Sequence, residues 1–324
     1  MGCPAKIAQK IKRLASIAGN WVVEMAGKTP HIERVQCAID FIELHLKDEL
    51  DIHEIAYRVG YSASHFQRLF QALLGQSVAD YIRRRRLTEA LQQITHGDVR
   101  ILDVALDYQF ESQESFTRAF KACFGITPGE CRRDGGQSLA ARRINRIRIE
   151  HLNHVGKGMT MTPKIVDMAP FSVIGIEARF ISILSPDKTN DVVIPKLWAD
   201  FSQRSNQIPD RLEKEALGLV YCLDDQPKSH PNECLYVCGV KVSTYTQPPT
   251  GMIRLEVPGG KYAVFTHQGP ADKFDHMMKY IYGSWFPKSG YEFDDRPEIE
   301  IYSGEGEQNP EPTVWDICIP IKQA

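Results

Sequence analysis

Residues 52–75, IHEIAYRVGYSASHFQRLFQALLG, and residues 101–125, ILDVALDYQFESQESFTRAFKACFG, carry one apolar pattern twice. Ile52, Ile55, Ala56 and Val59 recur as Ile101, Val104, Ala105 and Tyr108 at an offset of 49, and Phe66, Leu69, Phe70 and Leu73 recur as Phe116, Ala119, Phe120 and Cys123 at an offset of 50. Spacing of three, four and seven is helical, so each block reads as two short helices around a turn, with one extra residue in the second turn. Each block ends on a glycine, Gly75 or Gly125. Gly60 suits positive φ in the first turn, whereas Gln109 stands at the matching place in the second, where a left-handed backbone costs it roughly 1 kcal/mol.

Working outward, Ile32, Val35, Ile39, Ile42 and Leu46 predict a helix before the first block, and Ser62 is placed to cap the helix that carries Phe66. Ser77 and Asp80 resemble a capping box at the start of SVADYIRRRRLTEALQQI, a long helix between the blocks. This helix holds the densest basic run, Arg83 to Arg86, with Arg86 toward its inner side. Opposite each Phe stripe lies a polar face. Ser64, Gln67, Arg68 and Gln71 form the first, and Glu114, Thr117, Arg118 and Lys121, with Gln113 at the helix start, form the second. Arg matches a guanine edge and Gln an adenine edge, so both faces suit the major groove of double-stranded DNA. Glu114 breaks the match, because a carboxylate repels phosphate and reads only a cytosine amino group or orients a neighbouring Arg.

Over residues 31–133 the chain resembles the AraC/XylS family of transcription regulators, on IAYRVGYSASHFQRLFQALLGQSVADYIRRRRLTEA and on ILDVALDYQFESQESFTRAFKACFGITPGECRR. FTRAFK, the following FG and the Thr127-Pro128 start of a last helix carry the second match. The resemblance implies that Ser64, Gln67 and Arg68 contact DNA from the first recognition helix, and Gln113, Glu114, Thr117 and Arg118 from the second. Gln109, in place of the family's turn glycine, and Cys131, where an aromatic is common, depart from the pattern.

At 324 residues the chain exceeds one ordinary hydrophobic core, and its charge is divided. Residues 1–158 hold 23 Lys and Arg against 18 Asp and Glu, whereas 159–324 hold 16 against 23. A basic half joined to an acidic half fits nucleic-acid binding in the first and another task in the second. No run approaches the ~20 apolar residues of a membrane span, and the first 19 residues intersperse lysine among apolar positions, so a cytoplasmic protein with no membrane partner is expected. The eight cysteines lack metal spacing, and neither metal nor cofactor is expected. Cys37, Cys123, Cys238 and Cys318 fall on apolar-periodic positions, while Cys234 and Cys238 are a redox-pair alternative.

From about Thr162 the pattern changes to alternation and β-branched runs. KIVDMA, FSVIGIEARF, ALGLVYCL, CLYVCGVKV, MIRLEV, KYAVFTHQ, EIEIYSG and VWDICIPI predict strands, interrupted by the helical DVVIPKLWADFSQRSNQI and ADKFDHMMKYIYGSWFP. Strand, helix, strand, strand comes twice, which predicts an α+β domain with both helices on one antiparallel sheet. The expected fold is thus multidomain. It comprises an N-terminal extension (1–30), an all-α double helix-turn-helix DNA-binding domain (31–134), a basic linker (135–160) and an α+β domain of two strand-helix-strand-strand repeats (161–324).

GKYAVFTHQGP, YGSWFPKSGYEF, PEIEIY and WDICIPI, in that order, make residues 160–324 similar to the GyrI-like effector-binding domains. Alternation puts Glu298, Glu300 and Tyr302 on one face of their strand and Ile299 and Ile301 on the other. The resemblance makes Glu300 the central acidic contact for a small amphipathic or cationic effector, with Tyr262, Trp285 and Trp315 as candidates for an aromatic wall and Tyr302 beside them. The expected partners are double-stranded DNA, a small-molecule effector and RNA polymerase. Two alternatives stand beside a sensor: a small-molecule hydrolase using Glu300, a nearby Tyr and His267, and a protein-binding adaptor without a ligand.

Overall fold

The computed structural model describes residues 29–96, 98–136, 146–147, 161–224, 229–230, 232–243, 246–268, 274–302 and 314–323. Most of the expected N-terminal extension and of the basic linker lies outside them. The helices are α1 (His31–Leu44), α2 (Ile52–Arg58), α3 (Ala63–Leu74), α4 (Val78–His96), α5 (Ile101–Asp107), α6 (Gln113–Phe124), α7 (Pro128–Arg133), α8 (Asn190–Arg204) and α9 (Phe274–Tyr280). The strands are β1 (Lys164–Met168), β2 (Phe171–Ile181), β3 (Arg211–Cys222), β4 (Glu233–Val242), β5 (Ile253–Val257), β6 (Gly260–Gln268), β7 (Tyr291–Phe293), β8 (Glu298–Tyr302) and β9 (Val314–Gln323). The chain forms two compact units, one of residues 1–63 and 76–153 and the other of 64–75 and 154–324.

In the first unit the second copy of the pattern becomes structure. Val104, Ala105, Phe116, Phe120 and Phe124 of α5 and α6 are fully buried, packed with Leu91 and Ile94 of α4 and Cys131 of α7. Ser112 caps α6 by accepting from the Ser115 amide, and Gly125 closes it in the left-handed region at φ 85°. Thr127 and Glu130 form a reciprocal capping box at α7, with Pro128 in the first turn. The extra residue of the second turn is Glu111: Tyr61 and Phe110 donate equivalent amide bonds to Ala56 and Ala105, but Ser62 follows Tyr61 directly. Gln109 does adopt positive φ, 62°, and its side-chain Nε2 donates to the Lys47 carbonyl at 2.6 Å, which offsets the strain.

The basic run of α4 divides. Arg86 donates to the Leu46 and Asp48 carbonyls at 2.8 and 2.7 Å, and Arg85 is buried in a two-pronged pair with Glu43, both contacts 2.8 Å. Arg83 and Arg84 are exposed. Cys37, expected on the apolar stripe of α1, is exposed, because the helix turns Val35, Ala38, Ile39 and Ile42 inward instead.

In the second unit all strand pairs are antiparallel, in the order β1-β6-β9-β8-β3-β4-β2-β5, with β7 paired to the end of β9. Exchanging the repeats, β1 with β5, β2 with β6, β3 with β8 and β4 with β9, reverses this order onto itself. The sheet thus has a pseudo-twofold axis between β3 and β8, and two repeats are present, but each reads strand, strand, helix, strand, strand, one strand more than the expected strand-helix-strand-strand, because β1 and β5 also pair into the sheet at its two edges. One face carries α8, through Leu197 and Phe201 against Ile174, Tyr236 and Cys238. Phe274 of α9 meets His267 and Trp315 on the same face. The other face is a core of Val173, Leu217, Val237, Tyr262, Ile299 and Cys318, drawn from both halves of the sheet. α9 continues as one π turn, Ile281–Trp285, and a 3₁₀ turn to Lys288.

Candidate functional site

The centre of symmetry is where the two central strands differ most. β3 pairs with β8 so that Gly218 stands opposite Glu300, the two residues being mates across the pseudo-twofold. A Cβ at Gly218 would lie 2.0 Å from the Tyr236 hydroxyl and 2.8 Å from Glu300 Oε2. Glycine here opens the space in which a carboxylate and a phenol meet on the helix-bearing face.

Glu300 is 7% exposed, and Tyr236 and Tyr302 both donate to its Oε2, at 2.6 and 2.8 Å. Burial raises its pKa above the usual carboxylate range, while the two phenols pull it back. Burial and the adjacent carboxylate raise both phenols in turn. Trp198 of α8 donates its indole N–H to the Tyr236 hydroxyl at 3.1 Å, and its ring meets Tyr302 edge-on at 5.2 Å. Trp315 stacks on Tyr302 at 6.0 Å, and among the described residues its buried indole N–H has no hydrogen-bond partner. A buried carboxylate inside aromatic walls offers a cation both a counter-charge and π faces.

Of the residues expected here, Glu300, Tyr302 and Trp315 come together. Tyr262 does not: it pairs with Pro320 on the opposite face, its ring under the Arg296 guanidinium at 4.5 Å, and burial pushes its hydroxyl up to about 12. Trp285 contacts Phe265, Phe286 and Tyr291 rather than the Glu300 group. Their places are taken by Trp198 and Tyr236, which lie within the segments DVVIPKLWADFSQRSNQI and CLYVCGVKV and carry no motif of their own. His267 faces the same side as Trp315 and packs on its ring at 4.2 Å. Among the described residues no group of three His, Cys, Asp or Glu is placed to hold a metal ion.

The second polar face is open: Gln113, Glu114, Arg118 and Lys121 are exposed on α6, and Thr117 is partly so. The first is not. Ser64, Gln67 and Arg68, expected to point outward, are each under a tenth exposed, and Gln71 is half-buried. These residues belong to the second unit. Ser64 donates from its hydroxyl and its amide to Asp224, at 2.5 and 3.1 Å. Arg68 is ion-paired with Glu298, with Tyr282 bonded to the same carboxylate, and it approaches Tyr282 Oη at 3.2 Å and Cys234 Sγ at 3.5 Å. His65 stacks on Phe293 at 4.5 Å, and burial with Arg68 beside it lowers its pKa to about 3, so it is neutral. Amphipathic spacing shows which side of a helix is polar; it does not show what covers that side.

Residues 161–322 match the GyrI-like family, described as a small-molecule-binding domain, and residues 55–134 match a helix-turn-helix domain family. The chain is 27% identical over 267 residues to the transcriptional regulator Rob of Salmonella typhimurium, covering 81% of this chain and 87% of that protein. It is 27% identical over 263 residues to the right origin-binding protein of Escherichia coli K12, with the same shares covered. Over 98 residues, 30% of this chain and 33% of the relative, it is 47% identical to a Bacillus subtilis protein named uncharacterized HTH-type transcriptional regulator YbfP.

Proposed function

The chain belongs to the GyrI-like family and is an AraC-type DNA-binding transcription regulator with a small-molecule-binding domain, and from that premise we propose that the molecule it senses is an organic cation held at Glu300. The observation that carries this reading is the Glu300 carboxylate, buried against Tyr236, Tyr302, Trp198 and Trp315, with both phenols committed to one oxygen. An inorganic ion would find too few oxygens there for a coordination shell. A flat or quaternary organic cation offers little hydrogen bonding, gains from aromatic faces, and neutralises a carboxylate that is costly to bury alone.

DNA is read by the polar faces of α3 and α6, with Gln67, Arg68, Gln113, Thr117 and Arg118 as base-reading candidates and Ser64, Gln71, Glu114 and Lys121 beside them. The relatives are named a transcriptional regulator and an origin-binding protein, and turnover is not part of this reading.

Calorimetric titration with benzyltriethylammonium tests the effector site. The wild-type chain is expected to bind it without releasing a product, and Glu300→Gln to weaken binding at least tenfold, or about 1.4 kcal/mol. Equal affinity in the two proteins would remove Glu300 from the site.

A further inference from the structure

We propose that Arg68 is the resident cation of the acidic groove, so that an organic cation entering the groove displaces it and frees the polar face of α3 for DNA. The proposal rests on the reading of Glu300 as a cation site. It adds what holds the groove before an effector arrives, and how that occupant links effector to DNA.

Glu298 and Glu300 are two positions apart on β8, so their side chains stand on the same face of the sheet, roughly 7 Å apart along the strand. Glu300 is bonded to phenols, whereas Glu298 is paired with a guanidinium. Arg68 satisfies at Glu298 what an organic cation requires: a buried counter-charge, plus the Tyr282 ring 5.8 Å from its guanidinium carbon. The side chain is 8% exposed, and two clefts of this unit both include Arg68 in their lining, one beside Glu233 and Cys234 and the other beside Glu298 and Tyr282. An arginine that reads guanine must direct its guanidinium at the base edge. The same group cannot do so while it is paired with Glu298. Ser64, tied to Asp224, is withdrawn in the same way.

A buried ion pair is poor evidence for stability, since removing two charges from water costs about as much as their attraction returns. It is well suited to a two-state contact, because either partner can be satisfied elsewhere: Arg68 by a base or phosphate, Glu298 by an effector cation. A ligand shifts such an equilibrium only by its different affinity for the two states, and a cation that takes the place of Arg68 binds the released state alone.

Two measurements on the full-length chain test this. In the first, benzyltriethylammonium is titrated into wild type, Arg68→Ala and Glu300→Gln. Loss of the internal competitor in Arg68→Ala should tighten binding at least fivefold, a coupling within the usual allosteric range. Equal affinity of wild type and Arg68→Ala, with Glu300→Gln weakened, overturns the competition while leaving the effector site intact. Absence of binding to all three proteins overturns both. In the second, a duplex selected from a random library is titrated with wild type and with Glu298→Gln, which keeps the shape of the side chain and removes its charge. The variant should bind the duplex at least fivefold more tightly in the absence of the cation, and adding the cation should raise wild-type affinity toward that of the variant. Equal DNA affinity of wild type and variant, with near-ultraviolet dichroism showing both folded, would also overturn the proposal.

Discussion

At the residue scale, the site depends on an asymmetry between two symmetry mates. Had Gly218 carried a side chain, Glu300 and Tyr236 could not have met, and Gly218→Ala is therefore expected to cost about 1–3 kcal/mol by overpacking and to weaken cation binding. Urea denaturation together with the benzyltriethylammonium titration checks both effects. A stability loss with unchanged affinity would mean that the Tyr236 bond does not organise the carboxylate. Glu300 also makes a pH prediction. Its folded pKa is raised by burial, so as pH rises the unfolded chain ionises before the folded one does. This group's contribution is fully present below the ordinary carboxylate pKa and is lost as pH climbs through the raised folded value. Glu300→Gln should consequently gain stability relative to wild type as pH rises from the ordinary carboxylate range through the raised folded value, as read from thermal melts. Cation affinity in the wild type should rise with pH across the same window.

At the element scale, helix caps and stripes were legible because they are local. Ser112, Gly125 and the Thr127–Glu130 box fix α6 and α7 through groups at most four residues apart, and the Phe66 and Phe116 stripes follow from helical period alone. What failed was non-local. Tyr262 was assigned to the wrong wall because its facing depends on its register with β9, where it meets Pro320, and one strand's alternation cannot supply that. β7 was missed because three residues carry no period, and their pairing to the end of β9 is non-local. The Arg83–Arg86 run shows the same limit: Arg86 was read as inward, but Arg85 was not. Arg85 joins α4 to α1 through Glu43, which Tyr81 also meets at 2.6 Å. Arg85→Ala should leave that buried carboxylate without its paired guanidinium and cost about 3–5 kcal/mol, whereas the double change Arg85→Met with Glu43→Leu should recover most of the loss. Chemical denaturation of the three proteins decides the matter. A double variant as unstable as the single one would show that shape, rather than charge, limits this contact.

At the scale of the whole molecule, two internal duplications carry two tasks, and both could be read from sequence because a repeat multiplies weak signals. The second duplication fixes more than the strand count. A palindromic order places β3 and β8 at the centre, and hence Glu300 at the axis. The charge of the chain follows the division of tasks, with the Lys and Arg excess confined to residues 1–158. Two kinds of basic residue are then separable by experiment. Arg83 and Arg84 are exposed on α4, outside the two polar faces proposed to read bases, whereas Arg118 lies on the α6 face whose chemistry suits base edges. On a selected duplex, replacing Arg83 or Arg84 by Ala should weaken binding to all sequences alike and lower the slope of log K against log salt by about one unit each. Arg118→Ala should instead cost about 1–3 kcal/mol on the selected site and relax preference at one base pair. Fluorescence anisotropy across a salt series, with matched and single-mismatch duplexes, separates the two. If Arg118→Ala lowers affinity uniformly over all duplexes, α6 holds the backbone and does not read sequence through this residue.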